Sequence, residues 1–303
     1  IKSSSGFEIP DYAHNCIQFP TVSDNWNLPY KDYHEAEHAD IIYRDFTSNY
    51  YYIWENSDEV YGYQGNNTST KAERRFIYVP EADLVWTFDI ANTTTSTTDV
   101  EYRIHYNGAV TASGGDWYYS NGTSRINTHC AYPTSHSGAI SNGYSGASNI
   151  RLNITPTSAS YDHYFVVAHY INSSFLSDQD IAITDGYGSA IVKADTTYLA
   201  MFTDDLTGNI QFTSNDNVKV KYFIDGITPS TTYYITNQDN GSTRTITIST
   251  SAGGDFSAVS TSQGMLYFTS AGESSQPDPP AQNNSKIYPG AGGKFSGAGG
   301  KVY

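Results

Sequence analysis

The stretch "DLVWTFDI", residues 83–90, decides the fold. Leu84, Trp86, Phe88 and Ile90 alternate with Val85, Thr87 and Asp89. Successive side chains of a strand point to opposite faces, so this run reads as a β-strand with one buried face and one wet face. The same period of two recurs in "NIRLNIT" (149–155), "VKVKYFID" (218–225) and "TRTITIST" (243–250). Turn clusters such as "ANTTTSTTD", "ASGGD", "NQDNGS" and "SAGGD" separate these runs. Many short strands between regular turn signals predict an all-β chain built on an antiparallel β-sandwich. The 27 tyrosines and the abundant threonines agree, because aromatic and branched side chains pack well on a pleated surface.

The strand series divides near residues 175–182. This predicts a sandwich domain over 1–177 and a smaller β domain over 178–272. Residues 273–303 follow as a linker and tail, rich in proline and then in glycine. The tail ends in the repeat "GAGGKFS" and "GAGGKVY" (290–303). It reads either as a flexible segment or as an attachment or oligomerisation segment that adds strands to a neighbour.

The formal charge is −15, from sixteen basic and thirty-one acidic residues. Such a surface repels polyanions at long range, which argues against nucleic acid as a partner. No run of eighteen apolar residues occurs, so no membrane span is expected. Cys16 and Cys130 permit one disulfide in an exported protein, or stay as two buried thiols. Asn-x-Ser/Thr sequons at Asn66, Asn67, Asn92, Asn121, Asn153, Asn172, Asn240 and Asn283 would make an exported chain from a glycosylating source a glycoprotein.

Few motifs point to chemistry. "HEAEH" (34–38) would place His34 and His38 on one face of a helix, with Glu35 as the base of a zinc protease. Pro29 and the strand-like "ADIIYRDF" leave little room for that helix, and a polar loop is the favoured reading. His163 and His169 lie six apart in "DHYFVVAHY" and are expected to be hydrogen-bonded within the sheet. Aromatic runs are the stronger clue. "NYYYIWENSDEVYGY" (49–63) and "GGDWYYSNG" (114–122) hold more rings than alternation can bury. Exposed rings beside polar side chains stack on the C–H faces of sugars. Tyr51, Trp54, Trp117, Tyr118 and Arg125 are the candidate carbohydrate contacts.

Read in order, several segments resemble the C-terminal β region of heparinase II/III-type polysaccharide lyases. "YAHNCIQF" (12–19) resembles the family's "aHNt" strand, and "YRDFTSNY" (43–50) its "GDxTxxY" segment. "AERRFIYVPEADLVWTFDI" (72–90) and "NIRLNITPTSASYDHYFVVAHYI" (149–171) are similar to its hairpin and closing strand pair. "YFIDGITPSTTYYIT" (222–236) is similar to the "GLxPxTxYxV" pattern of its last small domain. The likeness covers residues 8–270 in weak motifs taken in order. It implies an exported, extracellular or periplasmic protein acting on an acidic polysaccharide by β-elimination. It also implies a divalent metal, zinc or calcium, with His14 as one ligand. In the family the other metal ligands and a helical toroid lie upstream of this strand. The chain is therefore expected to bind or scaffold polysaccharide without turning it over alone, beside an upstream helical domain or as a homo-oligomer. The competing expectation is a structural or adhesive subunit of an extracellular fibre, filament or phage tail.

Overall fold

A computed structural model describes residues 17–18, 40–56, 69–142, 150–183, 186–206, 209–214 and 219–272. The strands build four sheets. Sheet I runs in the order β1 (Ile17–Gln18), β6 (Glu101–Tyr106), β11 (Ile150–Pro156), β10 (His136–Asn142). Sheet II has eight strands: β2 (Asp40–Phe46), β3 (Tyr51–Asn56), β4 (Ser69–Val79), β5 (Leu84–Thr97), β12 (Ser160–Ile171), β9 (Arg125–Tyr132), β8 (Asp116–Ser120) and β7 (Val110–Ser113). Sheet III comprises β13 (Ser177–Ile183), β14 (Gly186–Lys193), β15 (Thr196–Leu206), β17 (Lys219–Ile227) and β21 (Leu266–Thr269). Sheet IV comprises β16 (Ile210–Ser214), β19 (Arg244–Ser249), β18 (Thr232–Asp239) and β20 (Phe256–Val259). The chain is all-β, as the alternation predicts.

Three apolar cores lie between the four sheets. Tyr102, Leu152 and Ile154 of sheet I pack on Ala91, Phe165, Val167 and Trp117 of sheet II. Trp86, Phe88, Ile90 and Val166 on the other side of sheet II meet Ile191, Phe202 and Phe223 of sheet III. Leu199, Met201, Tyr222 and Ile224 of sheet III then meet Phe212, Ile235, Ile246 and Ile248 of sheet IV. Sheets II and III are thus covered on both faces. This corrects the sequence reading of "DLVWTFDI": beyond Asp83 and the half-buried Val85, the face read as wet is buried. Thr87 is 4% exposed and Asp89 0%. Polar residues face sheet I here because they are paired there. Arg74 Nε donates to Asp89 at 2.5 Å, and Thr87 Oγ1 bonds the Tyr102 hydroxyl at 3.2 Å. "VKVKYFID" departs in the same way, with Phe223 and Asp225 both fully buried. "TRTITIST" keeps its predicted alternation, Ile246 and Ile248 inward, because sheet IV is an outer layer.

A second departure concerns direction. β15 and β17 pair in parallel, whereas the other strand pairs are antiparallel among the described residues. The chain leaves β15, forms β16 in sheet IV, and returns to sheet III as β17. A parallel neighbour requires such a crossover. One glycine is required at the far end of this pair, where the register between β15 and β17 shifts between Phe202 and Leu206. Gly226 has φ +82°, and a Cβ there would meet the Thr203 carbonyl oxygen at 1.9 Å. No helix among the described residues is long and apolar enough to cross a membrane.

Candidate functional site

Two places carry functional side chains. The first is the open end of sheet II. On its sheet I side, register places Phe46 of β2 opposite Tyr51 of β3, and Tyr51 opposite Tyr78 of β4. Aromatic cross-strand neighbours of this kind stabilise a sheet through their edges and faces. Here they also reach solvent: Phe46 is 46% and Tyr51 41% exposed. The core shared with sheet I draws on β4, β5, β12, β9 and β8, so among the described residues the strands at this end are left less covered. Ring centroids lie 5.3 Å apart for Phe46 and Tyr51, and 5.6 Å apart for Tyr51 and Tyr78. The planes turn by 86° and 65° between neighbours, which makes a ridged, not flat, surface. The next row of the same face holds Arg44, Ile53 and Phe76.

The second place is where β13, the edge strand of sheet III, meets β8 and β9 of sheet II. Alternation turns Asp116 of β8 and His129 of β9 toward sheet III, and Asp178 and Asp180 of β13 toward sheet II. The imidazole stands among all of them. Its Nδ1 lies 2.8 Å from Asp116 Oδ1 and 2.6 Å from Asp178 Oδ2; its Nε2 lies 3.1 Å from Asp180 Oδ1. Burial alone would push the ring toward neutrality, yet hydrogen bonds to the three carboxylates outweigh it and raise the His129 pKa to about 11. The same hydrogen bond from His129 holds the Asp178 carboxyl below its ordinary value.

Beside this cluster, the Arg125 guanidinium is clamped between two rings. Its carbon lies 3.7 Å from the Tyr118 centroid and 4.3 Å from the Phe175 centroid. Arg125 Nε donates to Asn127 Oδ1 at 2.6 Å, and Asn127 Nδ2 donates to the Asn172 carbonyl at 3.0 Å.

The five carbohydrate candidates therefore fall in different surroundings. Tyr51 lies on the open row. Tyr118 and Arg125 are brought together, but stacked on each other. Trp54 is on the opposite face of β3 from Tyr51, with the Arg75 guanidinium 4.7 Å from its ring. Trp117 is a correction. It is 4% exposed, packed in the sheet I core with its ring against Gly138 and His136, and offers no free face to a sugar. His14, the expected metal ligand, lies outside the described residues, as do Cys16 and the His34–Glu35–His38 motif. Cys130 is a buried free thiol whose sulfur donates to the Tyr132 carbonyl at 3.3 Å. His169 is hydrogen-bonded within the layers, as expected. Its Nε2 meets the Tyr102 hydroxyl at 2.7 Å and its Nδ1 meets Thr128 Oγ1 at 3.0 Å. Sequence reasoning missed Asp116, His129, Asp178 and Asp180. Their signal is weak: each sits at an ordinary strand position, and only sheet stacking assembles them.

No protein-family model matches the sequence, and no curated protein matches it. Among solved structures, the chain is similar to the heparan sulfate lyase HepC from Pedobacter heparinus, at 9% identity and a TM-score of 0.43. That match covers 60% of this chain and 29% of HepC. It is also similar to a heparinase III gene product, at 12% identity and a TM-score of 0.42, over 59% of this chain and 28% of the other. The chain thus spans less than a third of the length of the solved structures it matches. They are lyases of the kind that the sequence motifs resemble; likeness at this level shows neither substrate nor reaction.

Proposed function

We propose that this chain is the C-terminal β portion of an exported, heparinase II/III-like polysaccharide lyase. In this reading it binds an acidic polysaccharide and leaves β-elimination to another part of the molecule. One observation carries the proposal: the row of Phe46, Tyr51 and Tyr78, three rings on adjacent strands, the first two exposed and the third half-buried. Rings in a row match a linear polymer, because each sugar can lay its C–H face on one ring. The chain's net charge of −15 opposes an acidic polymer at a distance. A local cation is needed, and Arg44 supplies it from the next row of the same face. Two of the described histidines support binding over turnover. His169 is tied to Tyr102 and Thr128, and His129 to carboxylates. A base already engaged in this way is poorly placed to take a proton from a sugar.

The test is a titration of the purified chain with oligosaccharides of a uronic-acid polysaccharide, followed by NMR shifts of aromatic protons. Tyr51→Ala and Phe46→Ala should each weaken binding about tenfold, equivalent to ~1.4 kcal/mol. Arg44→Gln should remove the salt dependence of binding. Variants that bind like the parent would sink the reading. So would release of unsaturated, ultraviolet-absorbing product by this chain alone, as far as the division of labour is concerned.

A further inference from the structure

We infer that Asp116, His129 and Asp178 form a binding site for a divalent transition metal, with zinc as the ion their donor set suits. This is separate from the polysaccharide reading and from the expected ligand His14. One donor atom from each of the three residues lies within 4.8 Å of the other two. At Nδ1 of His129 two carboxylate oxygens converge, at 2.8 Å and 2.6 Å. An imidazole nitrogen carries one hydrogen, which points at one acceptor; a cation held by all three atoms satisfies both oxygens at once.

A residue outside the ligand set points the same way. Asp180 accepts from Nε2 of His129 at 3.1 Å. An ion that displaces the Nδ1 hydrogen finds Nε2–H already held by a carboxylate, the usual second partner of a metal-ligating histidine. Charge agrees as well. Among the described residues no lysine or arginine pairs with Asp116, Asp178 or Asp180, and Arg125 nearby is held by Tyr118, Phe175 and Asn127. Three carboxylates around one imidazole leave negative charge that a dication neutralises.

The chemistry of the donors selects the ion. Calcium and magnesium prefer all-oxygen shells, and one imidazole with two carboxylates suits zinc. The side chains of His129, Asp116 and Asp178 are 12%, 20% and 28% exposed. The cluster therefore opens to solvent on one side, where water can complete a four-coordinate shell. Ligands from β8, β9 and β13 also mean that the ion would tie sheet II to sheet III.

The test is calorimetric titration of the chelator-stripped chain with zinc, alone and under excess calcium. One saturable site per chain is expected, undiminished by calcium. Asp116→Asn and Asp178→Asn should each weaken it at least tenfold, while a His34→Ala/His38→Ala variant should bind as the parent does. Should the aspartate variants fail to fold, cobalt(II) added to the parent provides the second readout. It should give the visible absorption of a four-coordinate nitrogen–oxygen site without thiolate bands. Absence of saturable uptake, a featureless cobalt spectrum, or binding lost with His34 and His38 but kept without Asp116 and Asp178 overturns the inference.

Discussion

Removing the buried carboxylate of Asp225 should loosen the junction between sheets II and III more than any nearby apolar truncation of one methyl group. Asp225 is 0% and Arg75 4% exposed. The carboxylate accepts from the Tyr52 hydroxyl at 2.9 Å, from the backbone of Gly226 at 2.8 Å and from Arg75 Nη1 at 3.0 Å. Arg75 has further partners: the Thr203 carbonyl at 3.3 Å and Glu73 at 3.2 Å. Breaking a buried ion pair from one side costs ~3–5 kcal/mol, because the other charge is stranded. Glu73 keeps part of the compensation, so Asp225→Ala should sit near the lower end. Tyr52→Phe removes one hydrogen bond to a charged group and no packing volume, at ~1.5–3 kcal/mol. The two changes act on one contact. In the double variant the phenol is no longer left without its acceptor, so the costs should fall short of additivity by ~1–2 kcal/mol. Urea unfolding followed by tryptophan fluorescence measures this, since Trp54 and Trp86 both face the junction. A Tyr52→Phe cost below ~0.5 kcal/mol, or costs that simply add, would refute the account of this cluster as one coupled network.

Three further outcomes are expected. Gly138→Ala should destabilise by ~1–3 kcal/mol through overpacking, because its Cβ would lie 2.0 Å from the Trp117 ring; a thermal melt checks it. Gly226→Ala should cost more than Gly138→Ala, since its Cβ meets backbone instead of a side chain and its φ of +82° strains any L residue. His169 should make the fold acid-sensitive. Burial, and then the Arg74 charge, push its pKa down to about 3, against ~6.5 for an unfolded histidine. The unfolded chain then binds the extra proton between these values, so stability is intact above ~6.5 and falls as pH drops toward about 3. From pH 7 to pH 5 the loss is up to ~2 kcal/mol, less for a ring with an edge near solvent. His169→Gln should flatten that part of the urea-midpoint profile, and an unchanged slope would count against the assignment.

Strands were legible from period two because that rule concerns one strand at a time. How many layers the strands build is a different kind of information. Thr87 and Asp89 look like a wet face in sequence, and nothing local says that Arg74 and Tyr102 will meet them. A polar residue in alternation marks either solvent or a partner across a layer, and the two cases share one pattern. The parallel pairing of β15 and β17 was hidden for a related reason, because β16 between them belongs to another sheet. Within the candidate sites, Tyr51 and Trp117 were both chosen from the excess of aromatics, and the structure exposes the first and buries the second. Both occupy aromatic runs; only the extent of sheet I decides which ring is covered. The His129 cluster was out of reach. Asp116 and Asp180 are 13 and 51 residues from the imidazole, on different strands.

A four-layer stack restricts where function can reside. Sheets II and III hold polar groups on buried faces, and the charged ones among them include matched pairs: Arg74 with Asp89 and Arg75 with Asp225, while His169 reaches Tyr102 of sheet I. Satisfied networks of this kind fix the layers and leave little capacity for a ligand. Capacity survives where a layer stops short of covering its neighbour. At one end of sheet II this leaves the aromatic row open. At the edge of sheet III it leaves β13, whose Asp178 and Asp180 reach across to His129 instead of into a closed core. Among the described residues both candidate sites thus share one structural cause, the mismatch between an eight-stranded sheet and its shorter four- and five-stranded neighbours. An engineered extension of sheet I over β3 should therefore silence the aromatic row while leaving the His129 cluster unchanged, a separation that glycan and zinc titrations of one variant can read together.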